Sequence, residues 1–214
     1  MATMLSKQIA YDKIVIGHGD WESLDFLPEN APNVKSVFVG GDQRDVSALE
    51  KLAELEHLAL DYVKEPKVDL ERLSKLKSVI FEYFDKRYFS VFKLANLTSL
   101  VIAKYPGKDG NEIAKLSSLE NLEIRQGSLV TLDHLDMLHK LRRLVLSHIR
   151  ALADIRAVER LPSLEHIEIA KCAKLTSQKI IEQIPTKILV RRLNFHNANE
   201  DLDAIPKNFG GLHG

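Results

Sequence analysis

The sequence predicts an α/β solenoid of about nine stacked coils, each pairing one short parallel strand with one short helix or 3₁₀ turn. Three observations predict it. Leucine and its apolar relatives follow the spacing L-x-x-L-x-x-L-x-x-L-x-L, that block returns every 21–23 residues, and each block joins two different hydrophobic periods. The closing L-x-L pair has period 2, which puts alternate side chains on opposite faces of a strand. The preceding apolar residues stand three apart, nearer the 3.0 residues per turn of a 3₁₀ helix than the 3.6 of an α-helix.

The coils can be taken in chain order. Ile14 and Ile16 mark the first strand, and Val37 the second. Leu49, Leu52, Leu55, Leu58 and Leu60 form a full block, followed by Leu70, Leu73, Leu76, Val79 and Phe81. Val91, Leu94, Leu97, Leu100 and Ile102 continue it, then Ile113, Leu116, Leu119, Leu122 and Ile124. Leu135, Leu138, Leu141, Leu144 and Leu146 make another, and Ile155, Val158, Leu161, Leu164, Ile167 and Ile169 one more. The strand positions Val37, Leu58, Val79, Leu100, Leu122, Leu144, Ile167 and Ile188 lie 21, 21, 21, 22, 22, 23 and 21 residues apart. A single coil cannot close its own core, so stacking must supply the stability. Residues 1–27 read as an N-terminal coil and cap, in which Trp21 and Phe26 cover the first turn. Residues 28–192 carry the repeats. Residues 193–214 lose the pattern and read as a C-terminal cap, so the expectation is one domain over 1–214. The turn formers of Tyr105–Asn111 join two coils.

Over Ile14 to Val190 the pattern resembles the leucine-rich-repeat family, in particular the 21–22-residue class of internalins and of the leucine-rich regulatory subunit of protein phosphatase 1. The resemblance implies a horseshoe arc with strands on its concave face and short helices or 3₁₀ turns on its convex face. It implies little about function, although small bacterial repeat proteins of this look include immunity proteins that neutralise a toxin. One departure is clear. Where most such repeats place Asn three residues after the last strand leucine, this chain has Val63, Phe84, Tyr105, Gly127, Ile149 and Cys172. An apolar spine replacing the Asn ladder leaves turn amides and carbonyls in need of other partners.

Composition narrows the function classes. Of 214 residues, 45% are hydrophobic and 28% charged, the balance of a soluble globular chain. Thirty basic residues match thirty acidic ones, so net charge draws the chain to neither nucleic acid nor an acidic membrane. Cys172 is the single cysteine, which excludes an internal disulfide and a multi-cysteine zinc site. Residues 1–16 lack the apolar stretch of about 7–15 residues that a secretory signal needs. No run approaches the roughly 18 apolar residues of a membrane helix. The expectation is a cytoplasmic protein without a cofactor.

No catalytic motif emerges, and the expectation is a non-enzyme. Gly40-Gly41 and Gly210-Gly211 lack the spacing of a phosphate cradle. Cys172 falls at an inward position and reads as a buried structural thiol. His134 and His139 miss the i, i+4 spacing of a helical zinc pair; His57 with His166, and His148 with His166, share no single coil. Glu120/Glu123 and Glu165/Glu168 are carboxylate pairs on strand edges, as solenoids of this composition commonly carry.

The outward strand positions are more informative. They read Val15, Phe38, Ala59, Ile80, Val101, Glu123, Val145, Glu168 and Leu189, where an exposed sheet face would be mainly polar. Phe38, Tyr62, Ile80, Tyr83 and Val101 predict an exposed apolar patch, the kind of surface that marks a binding site. Charge is uneven along the chain. Residues 42–85 hold eleven acidic and seven basic residues, a net of −4, whereas 139–192 hold twelve basic and five acidic, a net of +7. Arg125, Arg143, Lys171, Lys187, Arg191 and Arg192 place that positive charge on the strand side. Interleaved Glu123, Glu165 and Glu168 favour a mixed-charge protein interface. The expected function is therefore a non-catalytic module that binds a partner protein through its concave face, as adaptor, regulator or inhibitor. Its contacts would be Phe38, Tyr62, Ile80, Tyr83, Val101, Glu123, Arg125, Arg143, Glu168 and Arg191. The alternative is nucleic-acid or other polyanion binding through the basic C-terminal half.

Overall fold

The structure is a computed structural model that describes residues 12–17, 23–41, 45–63, 68–176, 180, 183–184 and 188–194. Of the predicted caps, Trp21 and residues 195–214 lie outside the described residues, as does Lys187, whereas residues 193–194 belong to the last strand. The chain divides into two compact units, residues 1–97 and 98–214.

The first unit contains β1 (Lys13–Ile16), α1 (Phe26–Asn30), β2 (Ser36–Val39), β3 (His57–Leu60) and β4 (Ser78–Phe81). Between and after the later strands run 3₁₀ turns at Ser47–Lys51, Leu70–Arg72 and Lys86–Lys93. The strands pair in parallel in the predicted register: Ile14 with Val37, Val37 with Leu58, and Leu58 with Val79.

The second unit repeats the plan. It contains β5 (Ser99–Ala103), β6 (Asn121–Arg125), β7 (Arg143–Ser147), β8 (His166–Ala170) and β9 (Leu189–Asn194). Its 3₁₀ turns are Ile113–Lys115, Leu135–Met137 and Arg156–Arg160. Leu100, Leu122, Leu144 and Ile167 stand in one parallel row, as the spacing predicts. The last strand differs. Val190, not Ile188, pairs with Ile167, and Arg191 pairs with Glu168. Ile169 then pairs with Leu193, which leaves Arg192 as the extra residue of a β-bulge.

The three-residue spacing has a direct cause. In each turn the amide of one apolar residue bonds the carbonyl of the apolar residue three before it. Leu52 donates to Leu49 and Leu55 to Leu52, both at 3.0 Å; Leu116 to Ile113 and Leu119 to Leu116 follow at 3.0 and 2.9 Å. A residue at every third position therefore returns to the same side, and that side is the core. Leu49, Leu52, Leu55, Leu116, Leu119, Leu138 and Leu141 are fully buried. At about 1.5–3 kcal/mol for each buried leucine, this ladder together with the inward strand residues dominates the stability.

Backbone bonds between coils replace the missing Asn ladder. Asp61 donates its amide to the Val39 carbonyl at 2.9 Å, and Glu82 to Leu60 at 3.0 Å. Lys104 donates to Arg125, Gln126 to Ser147 and His148 to Ala170, at 2.7, 2.8 and 2.8 Å. At the other strand end one carbonyl accepts two amides, as when Thr98 receives both Glu120 and Asn121 at 2.9 Å. The expected apolar spine is present as well: Phe84, Tyr105, Ile149 and Cys172 are buried, whereas Val63 and Gly127 are only half-buried. Phe84 belongs to an aromatic cluster with Phe81, Tyr88, Phe89 and Phe92, whose ring centroids lie 4.6–6.3 Å apart.

Candidate functional site

In the first unit the register lines up Val15, Phe38, Ala59 and Ile80 on the face of the strands that points away from the core. Val15 is 62% exposed and the other three are half-buried. Phe38 leans over the backbone of Gly40, where an added Cβ would meet its ring at 2.9 Å. Beyond the strand ends, the rings of Tyr62 and Tyr83 meet edge to face at 5.5 Å, both still exposed. This brings together four of the five residues of the predicted apolar patch. The fifth, Val101, is a half-buried member of the second unit.

In the second unit the outward row runs Val101, Glu123, Val145 and Glu168, and Arg191 stands in register with Glu168. The charges pair locally. Arg125 Nε lies 2.6 Å from Glu123 Oε1, and Arg143 Nη2 lies 3.8 Å from Glu168 Oε2. Such partly exposed pairs contribute roughly 1 kcal/mol or less each, so they shape the surface more than they stabilise it. Three of the four glutamates paired in the sequence turn to arginines, for Glu165 binds Arg142 at 2.7 Å beside the Glu123 and Glu168 contacts. Val145, flanked in register by Glu123 and Glu168, is only 5% exposed and offers no apolar contact.

Lys171 is not in a strand row. It follows β8 and lines a cleft of about 550 Å³ with Lys104, Tyr105, Gln126, Gly127, Ser128, His148 and Arg150. Sequence reasoning singled out Lys171 and His148 separately and missed the cleft. A signal existed: Tyr62, Tyr83, Lys104, Gln126, His148 and Lys171 each stand two residues after the last inward strand residue of their coil. All but Tyr83 have left-handed backbones, with φ between 33° and 62°.

Elsewhere the chemistry is quiet. Burial pushes the Cys172 thiol up, and its sulfur faces the carbonyls of Ala170 and Leu146 at 3.6 and 3.8 Å. Burial, reinforced by Asp109 and Glu112, pushes the Tyr105 phenol up to about 12. Burial raises the Tyr88 phenol further, and its hydroxyl has no hydrogen-bond partner among the described residues. Among the described residues no three His, Cys, Asp or Glu side chains come together as a metal site would require. No helix among them is long and apolar enough to cross a membrane.

Parallel coils, 3₁₀ turns bonded from one apolar residue to the next and an inward leucine ladder define a leucine-rich-repeat solenoid. The fold is that of the leucine-rich-repeat proteins. An internalin of Listeria monocytogenes, InlF, superposes with a TM-score of 0.64 at 15% identity, over 87% of this chain and 54% of that one. The chain thus spans about half the length of that internalin. Internalin C2 of the same organism gives 0.61 at 16% identity, over 84% and 79%. A leucine-rich-repeat protein of Leptospira interrogans gives 0.56 at 13%, over 90% and 62%. At these identities the likeness is one of fold. No protein-family model and no curated protein matches the sequence.

Proposed function

We propose that the chain is a non-catalytic protein-binding module whose main contact is the outward face of the first unit. The observation that carries this reading is the exposed Tyr62–Tyr83 pair beside the apolar row Val15, Phe38 and Ile80. Tyrosines of this kind supply large, rigid contact area, and binding hot spots are enriched in them. A surface preformed on strands loses little entropy when it docks, because its side chains are already ordered. Glu123, Arg125, Arg143 and Glu168, with Arg191, supply a mixed-charge contact in the second unit, suited to orienting a partner. The role that follows is adaptor, regulator or inhibitor of another protein.

Substitution tests the reading. Phe38→Asp and Ile80→Asp alter side chains outside the leucine ladder, so the variants fold. They are expected to release a stoichiometric partner that the unaltered chain retains at high salt. Retention of that partner by both variants would contradict the proposal.

A further inference from the structure

We infer that the cleft beyond the ends of β5–β8 in the second unit holds an acidic segment of a protein partner, its carboxylates taken by Arg150 and Lys171. The inference deepens the protein-binding reading and rests on it. Three cationic side chains, with the His148 imidazole, the Gln126 amide and Ser128, line a cleft of about 550 Å³ that no carboxylate lines. Every other arginine whose side chain is described faces a carboxylate within or between coils. Examples are Arg125–Glu123, Arg142–Glu165 and Arg160–Asp136. Among the described residues no ion pair joins Arg150, Lys171 or His148 to any carboxylate. Charge complementarity therefore calls for an anion from outside.

The backbone supplies an independent reason. Lys104, Gln126, His148 and Lys171 hold φ at 62°, 50°, 57° and 54°, where L side chains are disfavoured. Most of these coils hold a left-handed residue after the strand, and Gly41 shows how that conformation is met without strain, at φ 85°. Four consecutive coils instead place a long polar or cationic side chain there, and all four line or border the same cleft. A requirement of the fold alone would be served best by glycine or asparagine.

The dimensions favour a peptide over nucleic acid. Four neighbouring strand ends about 4.8 Å apart span roughly 14 Å, the reach of four or five extended residues. Tyr105, the aromatic residue in the lining, is buried, so no exposed ring awaits a base. Gln126 and Ser128 can bond a peptide main chain between its carboxylates.

The test uses a fluorescein-labelled hexaglutamate peptide, with a labelled six-nucleotide single strand as competitor class, titrated into the full chain at low salt. The peptide is expected to bind at a single site. Arg150→Glu with Lys171→Glu should weaken it at least tenfold. Lys171→Gly should also weaken it while leaving the melting temperature unchanged or raised, since glycine relieves the left-handed turn. Tyr62→Ala with Tyr83→Ala should leave peptide binding intact, so this site and the apolar face can fail separately. Equal affinity in the unaltered chain and the Arg150→Glu, Lys171→Glu variant would overturn the inference. So would tighter binding of the oligonucleotide, which would assign the cleft to nucleic acid.

Discussion

Tyr62 and Tyr83 meet edge to face, with ring planes 80° apart, although the backbone of Tyr62 is held in the left-handed region at φ 33°. Both rings keep a large share of their surface open. Such an aromatic pair contributes about 0.5–1.5 kcal/mol beyond area burial. A double-mutant cycle of Tyr62→Ala and Tyr83→Ala, followed by urea unfolding, should return a coupling in that range. Additive effects would show that the contact is incidental.

Val15 and Val145 occupy the same outward row of their respective units but differ in exposure, at 62% and 5%. Val15→Lys should therefore change stability by less than about 0.5 kcal/mol. Val145→Asp forces an anion into a covered site between Glu123 and Glu168 and should cost about 3 kcal/mol or more. Thermal or urea unfolding of the two variants separates these outcomes.

Leu138 donates its amide to the Leu135 carbonyl at 2.9 Å and accepts that of Leu141 at 3.0 Å, while its side chain is fully buried. Leu138→Ala leaves both bonds in place and removes only packing, with an expected loss of about 2–5 kcal/mol. A urea midpoint unmoved by this change would contradict the ladder as the source of stability.

Asp154 is held below its ordinary value first by the Arg156 guanidinium and then by the Arg156 amide, and Asp136 by the Arg160 guanidinium. A carboxylate depressed in the folded state stabilises the fold fully above the usual carboxylate range, near pH 4. That stability disappears as pH falls through the lowered folded value. Melting temperature should thus decline below about pH 4, and Asp154→Asn with Asp136→Asn should flatten the decline.

Cys172 sits 6% exposed against the carbonyls of Leu146 and Ala170, and burial raises its thiol. Reaction with a disulfide reagent at neutral pH should be slow in the native chain and prompt in urea, because the thiolate is the attacking species. Fast native labelling would place the thiol outside the spine.

The parts legible in the sequence were those with a repeating physical cause. The leucine spacing gave the 3₁₀ turns, because each turn is bonded between apolar residues three apart. Within each unit the L-x-L pairs gave the strand register, in the second unit as far as Ile167. It failed at β9, where the bulge at Arg192 displaces Ile188 from the row, and a bulge leaves no hydrophobic period to read. The pairing of Glu123 with Arg125 follows from their i, i+2 spacing on one strand face. The burial of Val145 does not, because it depends on neighbours from adjacent coils. The cleft was hidden for another reason. Left-handed backbone is normally announced by glycine or asparagine, and here Lys, Gln and His occupy those positions.

The most direct test of the central claim is retention of a partner by the purified chain at high salt, set beside the folded Tyr62→Ala, Ile80→Asp variant. The account predicts a stoichiometric protein held by the unaltered chain, resistant to salt because the contact is apolar, and lost from the variant. A partner retained equally by both, or nucleic acid released as salt rises, would contradict it.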